Sequence, residues 1–465
     1  MEKHTVAIIG GGPGGYAAAI RLQQYGIDTI VFEKERLGGV CLNWGCIPTK
    51  TLVKVSDLYN ELHQVEEFGL SVENPSFDYS KIFERKNQVV EKLVSGLEFL
   101  FKKRQIPVII DEVVAIAEVG NGYQLSTANG LYDAHYVIIA TGSQPKELPS
   151  CKIDGEYILS SKDILKTETL PDRLIVVGGG VIGCEFASIF SQLGVEVQIV
   201  EFLPRLVSTE DEDISKRLAM VMKKKGVKVH LDAGLKSWQR VAEEIKAALS
   251  NGKELTSDKI LLSVGRVPVF DLACKNFDLS KEKDAILIND SMETNEHNIF
   301  AIGDVTGKML LAHTASKQGL VTANIIKNRV EHKEFTPDVI HYENIPRCTF
   351  TNPEIGSVGL TEVQARKKYN DILIGKFPFS ANGKALGLGS TYGFVKTIAE
   401  SATKKIVGMH ILGPQATELI AEGGIIVHSE MTIEEALKVV YAHPTLSEAV
   451  AESIEDLEKM SIHSM

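Results

Sequence analysis

Two glycine-rich segments with the same surroundings constrain the fold of this 465-residue chain more than any other feature. Each follows a short apolar stretch, precedes a helical stretch that a glycine ends, and leads through a second apolar stretch to a glutamate. We call residues 10–33, which begin GGGPGG and end at Glu33, the first fingerprint, and residues 178–201, which begin GGGVIG and end at Glu201, the second. This order of strand, glycine-rich turn, helix, strand and acid is typical of a dinucleotide-binding βαβ unit. The chain is therefore predicted to be an α/β protein with two Rossmann-like dinucleotide-binding domains.

The residue types in both fingerprints suit a dinucleotide. The glycines allow a tight turn, close approach of the pyrophosphate and packing of the helix on the strand. The glutamate is placed to accept a hydrogen bond from a ribose hydroxyl. Glu201 also favours NAD over NADP, because a carboxylate binds an unmodified 2′-hydroxyl and repels a 2′-phosphate. Arg205 is the one nearby residue that argues otherwise. The predicted contacts are Gly10, Gly12, Pro13, Gly14, Gly15 and Glu33 in the first fingerprint, Lys34 directly after it, and Gly178, Gly180, Val181, Ile182, Gly183 and Glu201 in the second.

Cys41 and Cys46 place two thiols five positions apart, shortly after the first fingerprint. In an ideal helix the Cα atoms of such a pair lie roughly 8–9 Å apart, whereas a disulfide needs about 4.4–6.8 Å. The pair can therefore close only across a break in the helix, and Gly45 supplies the backbone freedom. Pro48 suits the first position of a following helix through residues 49–53, which leaves Cys46 near a helix N-terminus that favours a thiolate. The pair is a candidate redox-active disulfide; the alternative is two unrelated buried cysteines.

Two dinucleotide sites and a dithiol together indicate an electron relay. Flavin suits the middle of such a relay because it exchanges hydride with a nicotinamide and two electrons with a thiol pair. Since the cysteines follow the first fingerprint, FAD is assigned to the first fingerprint and NAD to the second.

His443 is the histidine whose surroundings best suit an acid–base catalyst. Pro444 favours an extended backbone at His443, and Glu448 is placed to orient the imidazole and stabilise its cation. The alternative is a structural role, because Thr445 and Glu448 also fit the N-cap and third residue of a capping box that opens the last helix.

Composition excludes several other classes of protein. A net charge of −11 does not favour a nucleic-acid surface. No apolar run reaches the length of a membrane span, and an apolar stretch begins within a few residues of the first methionine, so neither a membrane anchor nor a leader peptide is expected. The expected compartment is the bacterial cytoplasm, with a mature organelle matrix as the second choice. The cysteines lack the paired spacing of a zinc site, so no metal is expected.

Hydrophobic patterning predicts the main secondary structure, and from about residue 340 it changes to short strands alternating with helices, as in a separate α+β domain. Predicted helices are residues 16–25, 80–104, 184–193, 417–429 and 447–459. Predicted strands are residues 5–9, 29–32, 136–140, 174–177, 195–200, 259–264, 299–302, 347–350, 394–399 and 406–412.

Taken together, these residues resemble the flavoprotein disulfide reductases, the class I pyridine nucleotide-disulfide oxidoreductases, over essentially the whole chain. The matching segments are GGGPGGY (10–16), GGVCLNWGCIPTK (38–50), ATG (140–142), GGGVIGCEFA (178–187), VGRVP (264–268), AIGD (301–304), MLLAHTA (309–315) and HPTLSE (443–448). The resemblance implies an FAD-binding domain at 1–143 and 269–338, an NAD-binding domain at 144–268, and a C-terminal α+β dimerisation domain at 339–465 of a homodimer.

The resemblance also implies roles for individual residues. Cys46 would contact the flavin and Cys41 would exchange with the substrate, while Lys50 would lie near the flavin N5, paired with Glu185 at the nicotinamide side. His443 and Glu448 would be the base and its orienter, acting on the cysteine pair of the other subunit. The further cofactor contacts it implies are Gly39, Val40, Lys50, Thr141, Gly142, Gly265, Arg266, Asp304 (on the flavin ribityl chain), Met309, Leu310, Ala312 and His313.

Within the family, the sequence is most like the branch that oxidises protein-bound dihydrolipoamide with NAD⁺. No cysteine follows Cys348, unlike in mercuric reductases, and Glu201 stands where glutathione reductases carry basic residues. Lipoyl domains of 2-oxo acid dehydrogenase complexes, or a glycine-cleavage-type carrier, would be the partners. Trp44 departs from the family, which usually has a small aliphatic residue there. The alternatives are an NAD(P)H-dependent reductase of another disulfide and a non-catalytic subunit.

Overall fold

A computed structural model of the chain describes residues 2–336 and 338–463. Its α-helices, α1 to α13 in chain order, are Pro13–Gln24, Gly39–Trp44, Cys46–Leu62, Tyr79–Lys103, Ser161–Ile164, Val181–Gln192, Glu212–Lys224, Ala312–Val330, Glu362–Lys368, Gly383–Gly387, Ala416–His428, Ile433–Leu437 and Glu448–Glu455. Its strands, β1 to β25 in chain order, are Glu2–Ile9, Thr29–Glu33, Val108–Ile110, Val113–Val119, Gly122–Thr127, Leu131–Ile139, Ser143–Pro145, Ile158–Leu159, Arg173–Val177, Glu196–Val200, Lys228–His230, Leu235–Val241, Glu244–Leu249, Glu254–Ser257, Lys259–Leu262, Arg266–Pro268, Ala273–Lys275, Lys281–Glu282, Ala285–Ile286, Ile299–Ala301, Arg347–Thr349, Glu354–Gly359, Ile372–Pro378, Phe394–Glu400 and Ile406–Gly413.

The chain divides into two compact units. The first, the flavin unit, comprises the chain as far as Thr51 together with Phe83–Lys146 and Gly265–Tyr342. The second, the nicotinamide unit, comprises Leu52–Ile82, Glu147–Val264 and the chain from Glu343 onward. Both names follow the cofactor assignments made from the sequence.

An eight-stranded sheet forms the core of the flavin unit, in the order β17-β4-β5-β6-β1-β2-β3 with β20 added beside β6. Its centre is parallel: β1 pairs with β2 and with β6, and β2 pairs with β3. All five residues of β2 are buried, as is usual for strands covered on both faces. A smaller ribbon pairs β7 with β16 in antiparallel fashion.

The nicotinamide unit contains a five-stranded parallel sheet, β11-β10-β9-β15-β8, a three-stranded antiparallel sheet, β12-β13-β14, and a five-stranded antiparallel sheet, β21-β22-β25-β24-β23. One hydrophobic core runs from the parallel sheet to the last of these sheets, because Ile355 and Leu412 pack with residues such as Val176 and Val197. Most of the C-terminal strands and helices, however, pack around a core of their own, which includes Val358, Ile420 and Val450.

The predicted α/β fold is confirmed, with its two parallel dinucleotide-binding sheets and its α+β C-terminal part. Two helix starts were predicted too late, because α1 begins at Pro13 and α6 at Val181 rather than at residues 16 and 184. The last residues of each glycine-rich turn are already helical, and proline at the first helical position needs no hydrogen-bond partner. The helix predicted for residues 447–459 ends at Glu455 and continues as a 3₁₀ turn, Asp456–Glu458. The hairpins β12–β14 were not predicted, and the three-domain boundaries remain a prediction.

Candidate active site

The first fingerprint folds as a tight, internally fixed turn. Gly10 has φ +111°, and a Cβ on it would lie 2.2 Å from the Ala140 carbonyl oxygen. A Cβ on Gly15 would lie 1.8 Å from the Gly10 carbonyl oxygen. The buried Glu33 carboxylate accepts hydrogen bonds from the Gly11 N–H at 2.8 Å and the Glu35 N–H at 2.9 Å. The acid at the end of β2 therefore also fixes the shape of the glycine-rich turn.

The second fingerprint repeats this arrangement closely. Gly178 has φ +107°, and a Cβ on it would lie 2.4 Å from the Ser263 carbonyl oxygen, while a Cβ on Gly183 would lie 1.9 Å from the Gly178 carbonyl oxygen. Glu201 accepts hydrogen bonds from the Gly179 N–H at 2.5 Å and the Leu203 N–H at 2.7 Å. The same local sequence pattern has produced the same structure in both units.

Both fingerprints have the features that a dinucleotide pyrophosphate needs. The helices α1 and α6 have glycine N-caps, Gly12 and Gly180, and neither has a side-chain cap. By contrast, α5, α9 and α12 each begin with a capping box. The nearest described atom to a Cβ on Gly12 lies 3.9 Å away, and none lies within 4 Å of one on Gly180. The N–H groups of the first helical turn, next to glycines that leave space for a ligand, can bind an anion. Both turns therefore fit the pyrophosphates of the predicted FAD and NAD.

Arg205, the nearby residue whose positive charge would favour NADP, is hydrogen-bonded within its own loop. Its Nη2 donates to the Ser208 carbonyl oxygen at 2.8 Å, and its Nη1 lies 4.0 Å from a Glu212 carboxylate oxygen. These contacts agree with the preference for NAD that Glu201 indicates.

The cysteine pair spans the predicted break between two helices. Helix α2 ends at Trp44 and α3 begins at Cys46. A Cβ on Gly45 would lie 2.8 Å from the Val40 carbonyl oxygen, so close packing restricts this position to glycine. Cys41 and Cys46 are not joined by a disulfide in this structure. Pro48 is the third residue of α3 rather than the predicted first; proline is tolerated there because first-turn N–H groups have no partner within a helix.

The two thiols differ in their electrostatic surroundings. A hydrogen bond with Cys46, burial and the Cys46 charge all raise the pKa of Cys41, and nearby Lys50 only partly opposes them. The raised pKa of Cys41 favours its protonated form. Burial raises the pKa of Tyr16, and the cysteine pair adds to this effect. No role was predicted for Tyr16, which lies in the first turn of α1.

Ser143, which was not predicted from the sequence, bridges two predicted cofactor residues, Arg266 and Asp304. The Ser143 Oγ lies 2.5 Å from Asp304 Oδ2 and 2.8 Å from Arg266 Nε. Of the other predicted residues nearby, Thr141 donates its hydroxyl proton to the Val269 carbonyl oxygen at 2.5 Å. Ser143 and Arg266 lie on the paired strands β7 and β16, a long-range pairing with no local sequence signal.

The remaining predicted flavin contacts lie on short segments around the first fingerprint. A Cβ on Gly39, the first residue of α2, would lie 2.8 Å from the Gly12 Cα. Helix α8 packs against α1, since a Cβ on Gly319 would lie 2.5 Å from the Gly14 carbonyl oxygen. Met309 and Leu310 precede α8, and Ala312 and His313 are its first two residues. Lys34 is exposed and lies 3.4 Å from a Glu112 carboxylate oxygen, while Val40 is 36% exposed.

His443 and Glu448 form the predicted pair. The His443 Nδ1 lies 2.8 Å from Glu448 Oε1, and the histidine side chain is 79% exposed. Burial alone would raise the pKa of Glu448, but hydrogen bonds from the Thr445 N–H and from His443 lower it below its usual range. The predicted capping box is incomplete, because α13 begins at Glu448 with Ser447 as N-cap and the Thr445 hydroxyl donates to the Ala442 carbonyl oxygen.

Lys50 lies in the flavin unit and Glu185 in the nicotinamide unit, and their pairing stays a prediction. Glu185 is 3% exposed, and its carboxylate accepts the Phe350 N–H at 2.9 Å. Within residues 2–336 and 338–463, no three His, Cys, Asp or Glu side chains are grouped to hold a metal ion. No helix in that part of the chain has both the length and the apolar character needed to cross a bilayer.

Comparisons with known proteins identify the family of this chain. A family model described as pyridine nucleotide-disulphide oxidoreductase matches residues 4–319, and the model of that family's dimerisation domain matches residues 345–454. A dihydrolipoyl dehydrogenase of Bacillus subtilis is 40% identical over 99% of this chain and 100% of its own length. One of Zymomonas mobilis is 35% identical over 98% of both chains.

Solved structures show the same fold. LpdA from Mycobacterium tuberculosis superposes with a TM-score of 0.87 at 25% identity, covering 98% of this chain and 100% of its own. The HOCl-induced flavoprotein disulfide reductase RclA from Escherichia coli gives a TM-score of 0.84 at 25% identity, covering 97% and 99%. FAD and NAD are the cofactors of this family, so the cofactor prediction is confirmed. The chain belongs to the pyridine nucleotide-disulphide oxidoreductase family, has a dimerisation domain, and is an oxidoreductase.

Proposed function

We propose that the protein oxidises protein-bound dihydrolipoamide to lipoamide with NAD⁺. The observation that carries this proposal is the dithiol, Cys41 and Cys46, held across the α2–α3 break directly beside the first fingerprint. A non-catalytic subunit needs neither this pair nor the oriented His443. The dihydrolipoyl dehydrogenases that match the full chain supply the substrate class.

The substrate reacts with the oxidised pair by thiol–disulfide exchange. One dihydrolipoyl thiolate attacks the Cys41 sulfur, the Cys41–Cys46 bond breaks, and Cys46 leaves as a thiolate. The second dihydrolipoyl thiolate then attacks the substrate sulfur that is bonded to Cys41. This closes the lipoamide ring and releases Cys41 in its reduced form. One proton stays with the reduced pair, and the raised pKa of Cys41 favours the protonated form of that thiol.

The proton of the incoming thiol needs an acceptor, and we assign this role to His443. Its Nδ1 is held by Glu448, which leaves Nε2 on the exposed side of the ring for the substrate. Glu448 stabilises the imidazolium that forms and keeps the ring oriented. By analogy with the family, His443 of one subunit acts at the cysteine pair of the other.

Bound FAD supplies the two-electron exchange between the reduced thiols and NAD⁺. We propose that the first fingerprint, Gly39, Lys50, Arg266 and Asp304 hold FAD, and that the second fingerprint and Glu185 face NAD. The corresponding domains are residues 1–143 with 269–338, residues 144–268, and residues 339–465. The Glu201 carboxylate, fixed by two main-chain N–H groups, selects the unphosphorylated ribose.

We infer that the partners are lipoyl domains of 2-oxo acid dehydrogenase complexes or a glycine-cleavage-type carrier. The protein would act as a homodimer in the bacterial cytoplasm.

Steady-state kinetics test this assignment directly. We expect turnover with dihydrolipoamide and NAD⁺, and at most about 1% of that kcat/KM with glutathione disulfide and NADPH, because Glu201 disfavours the 2′-phosphate. Cys46→Ser should abolish lipoamide turnover. Preference for glutathione disulfide, or full turnover by Cys46→Ser, would refute the assignment.

A further inference from the structure

Ser143 connects two charged side chains of the flavin unit that do not touch each other directly. The Arg266 Nε and the Asp304 Oδ2 are 4.0 Å apart, and the Ser143 hydroxyl lies within hydrogen-bond distance of both. The Ser143 carbonyl oxygen also accepts from Arg266 Nη2 at 2.6 Å. Ser143 itself is 8% exposed, so water cannot readily replace its contacts.

The direction of these hydrogen bonds follows from the groups involved. A guanidinium can only donate, and a hydroxyl has a single proton. Arg266 therefore donates to the Ser143 oxygen, and Ser143 donates to Asp304. This arrangement requires an acceptor at Asp304 Oδ2, which a carboxylate provides and a carboxylic acid protonated at that oxygen does not.

Burial acts against both charges. It raises the pKa of Asp304, and the Ser143 hydrogen bond and the Arg266 charge oppose that rise. It lowers the pKa of Arg266, and the charges of Asp304 and Cys46 oppose that fall. Ser143 is thus the neutral group that contacts both charged side chains in a desolvated setting, where a hydrogen bond to a charged group contributes most.

Main-chain contacts fix the serine in this position. Strands β7 and β16 pair in register through Ser143 and Pro268, and the Lys146 N–H donates to the Gly265 carbonyl oxygen at 3.0 Å. Asp304 sits in a 3₁₀ turn whose first residue, Gly303, donates its N–H to Gln318 Oε1 at 2.6 Å.

We propose that Ser143 is a positioning residue of the FAD site. Its hydroxyl keeps Asp304 in the carboxylate form, which can accept a hydrogen bond from a ribityl hydroxyl of FAD. Its contacts also fix the Arg266 guanidinium. The inference rests on the proposed role of Asp304 as a flavin ligand. Without the hydroxyl, Asp304 becomes easier to protonate and Arg266 loses its Nε acceptor.

The test measures FAD dissociation from the purified holoenzyme at pH 5.5 and 8.5 for the wild type and Ser143→Ala. Because the carboxylate is the form that binds FAD, the variant should weaken FAD binding by about tenfold at pH 5.5 and by about twofold or less at pH 8.5. Ser143→Thr, which keeps the hydroxyl, should restore wild-type affinity at both pH values. Should Ser143→Ala not fold, Ser143→Cys, a weaker donor, is measured in its place with the same direction expected.

Thr306→Val is the matched control. It removes a buried hydroxyl in the same turn as Asp304 that donates to the Gly303 carbonyl oxygen and accepts from the Lys308 N–H, both of them main-chain groups. We expect its FAD affinity, relative to the wild type, to be the same at both pH values. A loss in Ser143→Ala that is equal at pH 5.5 and 8.5, or no loss, overturns the proposal. Failure of the wild type to oxidise dihydrolipoamide would instead refute the proposed function, and the pH dependence of FAD release would still decide the role of Ser143.

Discussion

The two fingerprints have nearly the same internal structure but differ in what covers them. In both, the first glycine has φ near +110°, at +111° and +107°, and a Cβ on the last would lie 1.8 or 1.9 Å from a carbonyl oxygen of the same turn. The second glycine also has an equivalent neighbour, since a Cβ there would lie 2.7 Å from Leu37 in one case and 2.5 Å from Leu206 in the other.

The surroundings of the third and fifth positions are different. Gly12 lies under Gly39 of α2, and a Cβ on Gly14 would lie 3.1 Å from the Ala315 carbonyl oxygen of α8. In the second fingerprint, Gly180 has no described atom within 4 Å of its Cβ position, and the fifth position is Ile182. The flavin unit thus encloses its glycine-rich turn with its own chain, whereas the second turn is open. An enclosed turn suits a cofactor that stays bound, and an open turn suits a dinucleotide that exchanges in each catalytic cycle.

The largest effects should come from filling the last glycine of each fingerprint. Gly15→Ala and Gly183→Ala each force a Cβ into a main-chain oxygen and should cost about 3 kcal/mol or more locally. We expect Gly15→Ala to be purified without flavin, and Gly183→Ala to retain flavin that NADH no longer reduces. The ratio of flavin to protein absorbance and anaerobic NADH titration measure both. If both variants lose only flavin, the two turns do not have separate cofactors.

Gly12→Ala tests the enclosed first turn and Gly180→Ala tests the open second turn, and neither substitution distorts the backbone. Both glycines have ordinary negative φ, −72° and −75°, which alanine adopts readily. Gly180→Ala should leave the melting temperature unchanged or slightly higher while the NAD⁺ KM rises about tenfold, because the methyl occupies space meant for the pyrophosphate. Gly12→Ala should instead weaken FAD binding and leave the NAD⁺ KM of flavin-saturated enzyme unchanged. An unchanged NAD⁺ KM in Gly180→Ala would argue against NAD binding at the second turn.

A smaller effect is expected from the acid that ends each fingerprint. Glu201→Gln removes a charge that repels a 2′-phosphate, so the preference for NAD⁺ over NADP⁺, measured as the ratio of kcat/KM values, should fall about tenfold. Glu33→Gln disturbs the equivalent pair of main-chain hydrogen bonds in the first fingerprint and serves as the control. Its nicotinamide preference should not change. An equal change in both variants would mean that Glu201 acts through loop stability alone.

The sequence predicts those parts of the molecule whose structure depends on local chemistry. Both fingerprints, the helix break at Gly45 and the His443–Glu448 contact are formed by residues within about 25 positions of each other, and each was found in the structure. Ser143 was not predicted, because its partner Asp304 is 161 positions away and reaches it only through tertiary structure. Tyr16 was not predicted for a related reason: α1 looks like any helix that follows a glycine-rich turn.

The strands β12, β13 and β14 were also not predicted from the sequence. Buried and more exposed residues alternate in β13 and β14, but in β12 the positions after buried Leu235 are largely exposed. Period-2 alternation is the main signal of a half-buried strand, and it is weak in β12.

The proposed mechanism depends most on the separation of the two thiols into an inner one, Cys46, and an outer one, Cys41. The most direct test is the long-wavelength thiolate–flavin absorbance of Cys41→Ser and Cys46→Ser holoenzymes, recorded before and after two-electron reduction. The account predicts that Cys41→Ser shows the band even without reduction, because the Cys46 thiolate remains beside the flavin, and that Cys46→Ser never shows it. A band in Cys46→Ser and none in Cys41→Ser would contradict it.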